Sequence, residues 1–104
     1  MIQFLRKLFG LGSATDYAQL VKDGAIIVDV RSTGEFSSGH IVESINIPVD
    51  VLASNLNKLK DKNKVIITCC ASGMRSAAAK GILKSNGYAT VFNGGGWSSL
   101  ERKL

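Results

Sequence analysis

The sequence predicts an α/β fold, a small mostly parallel β-sheet flanked by helices. Residues 25–30, 65–68 and 90–92 form short, continuous apolar runs rich in β-branched side chains, the pattern of strands covered on both faces. Helical segments separate these runs, and turn signals such as Asp23-Gly24 and Asn86-Gly87 punctuate them. Strands that alternate with helices are joined by crossovers, and crossovers make neighbouring strands parallel.

Taken in order, Ser13 or Thr15 can cap a first helix that runs to about Val21, and residues 25–30 follow as the first strand. Residues 33–38 make a helical turn. Ser44-Ile45-Asn46-Ile47 is a short second strand stopped by Pro48, after which Asp50 can cap a helix presenting Leu52, Leu56 and Leu59. Residues 61–64 turn into the third strand, 65–68. A helix from Arg75 to about Ser85 ends at Asn86-Gly87, residues 90–92 form the last strand, and Gly94-Gly95-Gly96 opens a final short helix.

The 104 residues, 45% of them hydrophobic and 20% charged, suit one domain with one core, placed here at residues 13–104. Residues 1–12 form an apolar and basic amino-terminal segment. Arg6 and Lys7 interrupt it, so it is too short to span a bilayer and lacks the continuous apolar region of a signal peptide. As a helix it would align Ile2, Leu5, Leu8 and Phe9, a face that suits packing on the domain, with a membrane surface or another protomer as alternatives. The net charge of +5 favours small anions or an acidic partner surface, and no basic motif interleaved with aromatics supports nucleic-acid binding. The 2 cysteines are adjacent, which gives no disulfide framework and points to a reducing, cytoplasmic setting.

Those cysteines carry the chemistry. Thr68-Cys69-Cys70-Ala71-Ser72-Gly73-Met74-Arg75-Ser76 lies at a strand-to-helix turn, where free N–H groups, the helix dipole and Arg75 favour a thiolate. Gly73 permits the backbone angles of an anion-binding loop. Asp29 and Arg31 follow the first strand, so they and residues 70–75 fall at the carboxyl ends of strands, where open parallel sheets bind ligands.

Asp29-Val30-Arg31 with Glu35, then Gly39-His40-Ile41, Asn46-Ile47-Pro48, Cys70-Ala71-Ser72-Gly73-Met74-Arg75-Ser76 and Gly94-Gly95, resemble in order and spacing the landmarks of a single-domain rhodanese, a sulfurtransferase. The resemblance covers nearly the whole chain. It implies a small parallel sheet flanked by helices, with Cys70 as the nucleophile that takes the outer sulfur of thiosulfate or a related donor as a persulfide. A thiol or cyanide then accepts that sulfur. The backbone N–H groups of Ala71, Ser72, Gly73, Met74 and Arg75 would stabilise the anionic sulfur, with Asp29 and Arg31 in support. Arg75 either orients the donor or ties the loop to a carboxylate such as Asp29. No cofactor is implied. A metal site is poorly served by two adjacent thiols and a distant His40.

Residues 69–76 also fit the C-x5-R-[ST] pattern of cysteine phosphatases, an enzymatic rival, although Gly73 is three residues after Cys70 and four after Cys69. Strand alternation turns Cys69 away from the pocket, as a small core residue more than a resolving thiol. His40 is read as structural, bonded to backbone near the second strand. Pro48 and the three glycines shape turns, Trp97 packs, and Lys58, Lys60, Lys62 and Lys64 form a solvated face. The chain departs from the family at Val42-Glu43-Ser44, and its loop residues Ala71, Ser72 and Met74 are uncharged, which turns attention to a protein persulfide or polysulfide donor. The non-enzymatic rival is a sulfur carrier that serves one protein partner, thioredoxin-like or otherwise.

Overall fold

The computed structural model describes residues 14–104. Residues 1–12 and the Ser13 cap expected above lie outside the described residues.

Four strands, β1 (Ile26–Asp29), β2 (Ile45–Asn46), β3 (Val65–Cys70) and β4 (Thr90–Gly96), form one sheet in the order β2-β1-β3-β4. All three pairings are parallel, with Val28 opposite Ile45, Ile27 opposite Ile67 and Ile66 opposite Val91. The helices are α1 (Tyr17–Lys22), α2 (Thr33–Ser38), α3 (Met74–Ser85) and α4 (Trp97–Glu101).

The sheet separates two apolar clusters. On one face Val28, Val30, Ile66 and Cys70 pack with Ala79 and Leu83 of α3, with Leu52 and Leu59, and with Tyr88. On the other, Ile27, Ile67 and Cys69 pack with Ile41 and Leu100, against Tyr17, Leu20 and Val21 of α1. β3 is central, and Ile66, Ile67, Thr68 and Cys69 are fully buried, which explains why it reads as an unbroken apolar run.

Several boundaries differ from expectation. Asp16, not Thr15, caps α1, accepting the Gln19 N–H at 3.1 Å. The segment after β2 is not an α-helix capped by Asp50 but two 3-10 turns, Val49–Ser54 and Leu56–Lys58, entered from Pro48. Asn55 breaks the run between them: its side-chain amide donates to the Val51 carbonyl at 2.8 Å, a local bond that competes with α-helical pairing. Leu52 and Leu59 still reach the core.

β3 extends two residues further than expected, so both cysteines belong to the strand. β4 likewise continues through Gly94, Gly95 and Gly96, which are strand rather than a turn, and the expected final helix, α4, follows directly with Gly96 as its cap. The reason is close packing. A Cβ on Gly94 would lie 2.7 Å from the Thr68 carbonyl oxygen and 2.9 Å from side-chain carbons of Ile67 and Leu100, and one on Gly96 would lie 2.8 Å from the Ala71 carbonyl oxygen. Only glycine lets β4 close onto the end of β3, where Gly96 stands opposite Cys70. Gly94→Ala is therefore expected to destabilise the domain by about 1–3 kcal/mol through overpacking. A lower urea midpoint at unchanged slope would register this; an unchanged midpoint would show that the seam has slack.

Candidate functional site

The strand order reverses between β1 and β3, so the carboxyl ends of these two strands form the topological switch point of the sheet. Asp29 ends one strand and Cys70 the other.

The chain leaves β3 at Cys70, exposes Ala71 and Ser72, and turns at Gly73, whose φ of 108° is in the left-handed region that glycine enters without penalty. Gly73 is then the residue before the first turn of the 12-residue α3. At such a position a side-chain oxygen normally accepts N–H groups from the first helical turn. Glycine has none, and the Cys70 sulfur takes that place: Sγ accepts the Gly73 N–H at 2.9 Å and the Ser76 N–H at 3.3 Å. Two N–H groups and the positive end of a helix thus converge on one sulfur.

Ser76 lies beyond residues 71–75, where the sulfur-binding amides were expected. The signal for it is positional: with Gly73 as cap, Ser76 is the third helical residue, whose N–H points back at the capping group. Its side chain is buried and held by a polar chain. The Ser76 hydroxyl donates to Asn93 Oδ1 at 2.6 Å, the Thr68 and Ser76 hydroxyl oxygens are 2.7 Å apart, and Asn93 Oδ1 also accepts the Gly95 N–H at 2.9 Å. Thr68 and Asn93 were likewise not singled out from the sequence, since nothing in its pattern links β3, α3 and β4.

Asp29 and Arg31 form a buried ion pair. Arg31 Nη2 lies 2.6 Å from Asp29 Oδ2 and Nε lies 2.9 Å from Oδ1. Arg31 also donates to the carbonyls of Glu35 at 3.2 Å and Gly39 at 2.7 Å, and its guanidinium stands 4.7 Å from the centroid of the Trp97 ring. Asn46 donates to the carbonyls of Asp29 and Arg31, both at 3.0 Å.

Arg75 does not reach for Asp29. It pairs with Glu35 of α2, Nη1 to Oε1 at 2.7 Å and Nη2 to Oε2 at 3.0 Å. Glu35 is also the far half of a capping box with Ser32. These contacts, Arg75 first and Ser32 second, lower its carboxyl to about 2.

Cys69 faces the opposite side of the sheet, fully buried beside Ile27, Ile67 and Leu100. Burial, with Asp29 adding to it, pushes its thiol up to about 12, so it stays protonated. The phosphatase pattern starting at Cys69 therefore begins on a side chain that the loop does not hold. His40 is exposed; its Nδ1 lies 2.7 Å from the Phe36 carbonyl oxygen within the α2 region, not beside β2, and its ring stacks on Phe36 at 3.7 Å. Among the described residues no three His, Cys, Asp or Glu side chains converge, and no helix is long and apolar enough to cross a membrane.

A parallel α/β sheet whose switch point presents a cysteine sulfur to backbone amides defines a domain built around one thiol. The rhodanese-like domain family matches residues 13–103, and the chain belongs to it. It is 38% identical over 73 residues to the uncharacterized protein YibN of Escherichia coli K12, covering 68% of this chain and 51% of YibN. The chain thus spans about half the length of that relative. The thiosulfate sulfurtransferase PspE of Escherichia coli K12 is 34% identical over 74 residues, with 70% of this chain and 71% of PspE covered. A solved structure described as an E. coli rhodanese with anions superposes with a TM-score of 0.69 at 31% identity, over 73% of this chain and 91% of the other.

The ion pair gives the site a defined acid response. Glu35 titrates at about 2 in the folded chain, against about 4.3 when unfolded. A depressed folded value stabilises fully above the unfolded one and is lost as the pH falls through the folded one. Between about pH 4.5 and pH 2 the wild type should lose stability more steeply than Glu35→Gln, by denaturant titration at each pH. Equal slopes would remove this pair from the acid response.

Proposed function

We propose that this domain is a sulfurtransferase that carries sulfane sulfur on Cys70. The observation behind this reading is the Cys70 sulfur itself, which accepts the N–H groups of Gly73 and Ser76 at the start of α3. Two backbone donors at a helix start, aimed at one sulfur, are the arrangement that persulfide transfer on a cysteine calls for.

In the first half-reaction the Cys70 thiolate attacks the outer sulfur of a donor such as thiosulfate. The donor's S–S bond breaks, its electron pair leaves with sulfite, and Cys70 carries a persulfide. In the second, a thiolate or cyanide attacks the outer sulfur of that persulfide and the Cys70 thiolate is released. Neither step needs a general base once the thiolate is formed, consistent with the exposed and outward-bonded His40. Ala71, Ser72, Met74 and Arg75 complete the loop over the sulfur, and Asp29 with Arg31 holds the neighbouring loop in place. Persulfide chemistry needs a reduced thiol, so this reading goes with a reducing, cytoplasmic setting, and both cysteines are free. The likeness to PspE supports thiosulfate as the first donor to try.

Incubation with thiosulfate should add the mass of one sulfur atom, removable by a thiol reductant, to the wild type and to Cys69→Ser. Cys70→Ser should gain none. Equal loss in the two variants would sink the assignment to Cys70. Cyanide should restore the starting mass repeatedly, whereas a dedicated carrier would load once and stall.

A further inference from the structure

Arg75 is the single cation that the sequence places in the sulfur loop, since residues 70–74 are uncharged and the next cation along α3 is Lys80. The structure commits that charge elsewhere. Both terminal nitrogens of Arg75 are taken by the two carboxylate oxygens of Glu35, in the bidentate geometry that gives such pairs their strength. Glu35 is itself held in place, because the Ser32 N–H and hydroxyl both donate to Oε1 at 3.0 Å. The second arginine at the switch point, Arg31, is matched in the same way by Asp29.

This arrangement bears on the donor. Thiosulfate is a dianion and its leaving group, sulfite, is one as well. The Gly73 and Ser76 amides are turned to the Cys70 sulfur, so the sulfonate needs a cation of its own. An organic hydropersulfide, R–S–SH or its monoanion, brings less charge and a carbon substituent. The rim suits that substituent: Ala71 and Ser72 are exposed and Met74 is 82% exposed, an uncharged and partly apolar edge.

We infer that Glu35 sets the donor class of this site: by holding Arg75 in a bidentate pair it leaves the Cys70 loop without a free cation, and so favours organic persulfides over thiosulfate. The inference rests on the sulfurtransferase reading above. The transfer balances without an added reactant. The Cys70 thiolate attacks the terminal sulfur of R–S–SH, the S–S bond breaks, its electron pair leaves with RS⁻, and the proton stays on the transferred sulfur.

The test compares the rate of Cys70 loading by thiosulfate and by 2-hydroxyethyl persulfide, made in situ from the disulfide of 2-mercaptoethanol and sulfide. The wild type should favour the persulfide in kcat/KM. Glu35→Gln keeps the Oε1 acceptor but removes the negative charge and the Oε2 acceptor that hold the second Arg75 nitrogen, so the Arg75 charge is no longer neutralised. It should lower the KM for thiosulfate about tenfold, the size of one charge-assisted hydrogen bond, with a much smaller change for the persulfide. Adding Arg75→Gln to that variant should cancel the gain. Met74→Lys, which leaves the ion pair intact and adds a cation to the rim, should also lower the thiosulfate KM, and it tests the idea even if Glu35→Gln folds poorly. If neither variant changes the preference while Cys70 still takes sulfur, the inference is overturned and the sulfurtransferase reading stands. If the wild type takes sulfur from neither donor, both fall.

Discussion

A fully buried carboxylate at the end of β1 is the constraint around which the site is arranged. Asp29 has no exposure to water, and an isolated charge there would be untenable. Arg31, two residues later, folds back onto it, and the remaining guanidinium donors go to the carbonyls of Glu35 and Gly39. One of those carbonyls lies within α2 and the other just past its carboxyl end. The pair thereby fixes where α2 sits, and α2 carries the Glu35 that holds Arg75 beside the cysteine loop. Removing one partner of a buried pair costs about 3–5 kcal/mol, because the other charge is left uncompensated. A change at Asp29 would thus reach the sulfur loop through two ion pairs in series.

The fold class was legible because its signal is local. Apolar β-branched runs and turn residues each occupy a few consecutive positions, and α2 falls at Thr33–Ser38 as its sequence suggested. What escaped sequence reasoning depends on contacts between distant segments. Glu35 and Arg75 are 40 residues apart, and Thr68, Ser76 and Asn93 meet only once β3, α3 and β4 are packed. The glycines of β4 resemble a turn in isolation, yet Gly94 and Gly96 are needed because the Thr68 and Ala71 carbonyls occupy the space a side chain would fill. The 3-10 turns escaped for a different reason, since leucine spacing reports the buried face but not the local competition offered by Asn55.

The adjacency of the two cysteines shows how strand geometry assigns different chemistry to identical side chains. Successive residues of a strand face opposite sides of the sheet. Cys69 falls among Ile27, Ile67 and Leu100, where burial holds its thiol up to about 12. Cys70 falls under the first turn of α3, where N–H groups await an acceptor. A one-residue slip in the register of β3 would exchange these environments. Register is therefore a functional quantity here, and the close approach of Gly94 to the Thr68 carbonyl helps to pin it.

The use of a sulfur as the helix cap couples stability to chemistry. Every helix must satisfy the N–H groups of its first turn, and α3 satisfies one of them, that of Ser76, with Cys70. The direction of the polar chain is set by what each atom can do. Asn93 Oδ1 only accepts, so the Ser76 hydroxyl must donate to it, and the Thr68 hydroxyl, 2.7 Å from the Ser76 hydroxyl oxygen, donates to the Ser76 carbonyl at 3.0 Å. That chain anchors the Ser76 residue from the side remote from the sulfur and so limits how far its amide can turn away. The dipoles around the Cys70 sulfur are therefore aligned in advance by the fold. The same contacts that complete the helix end thus surround the Cys70 sulfur with aligned donors, while the one cation of the loop, Arg75, is held outside them by Glu35.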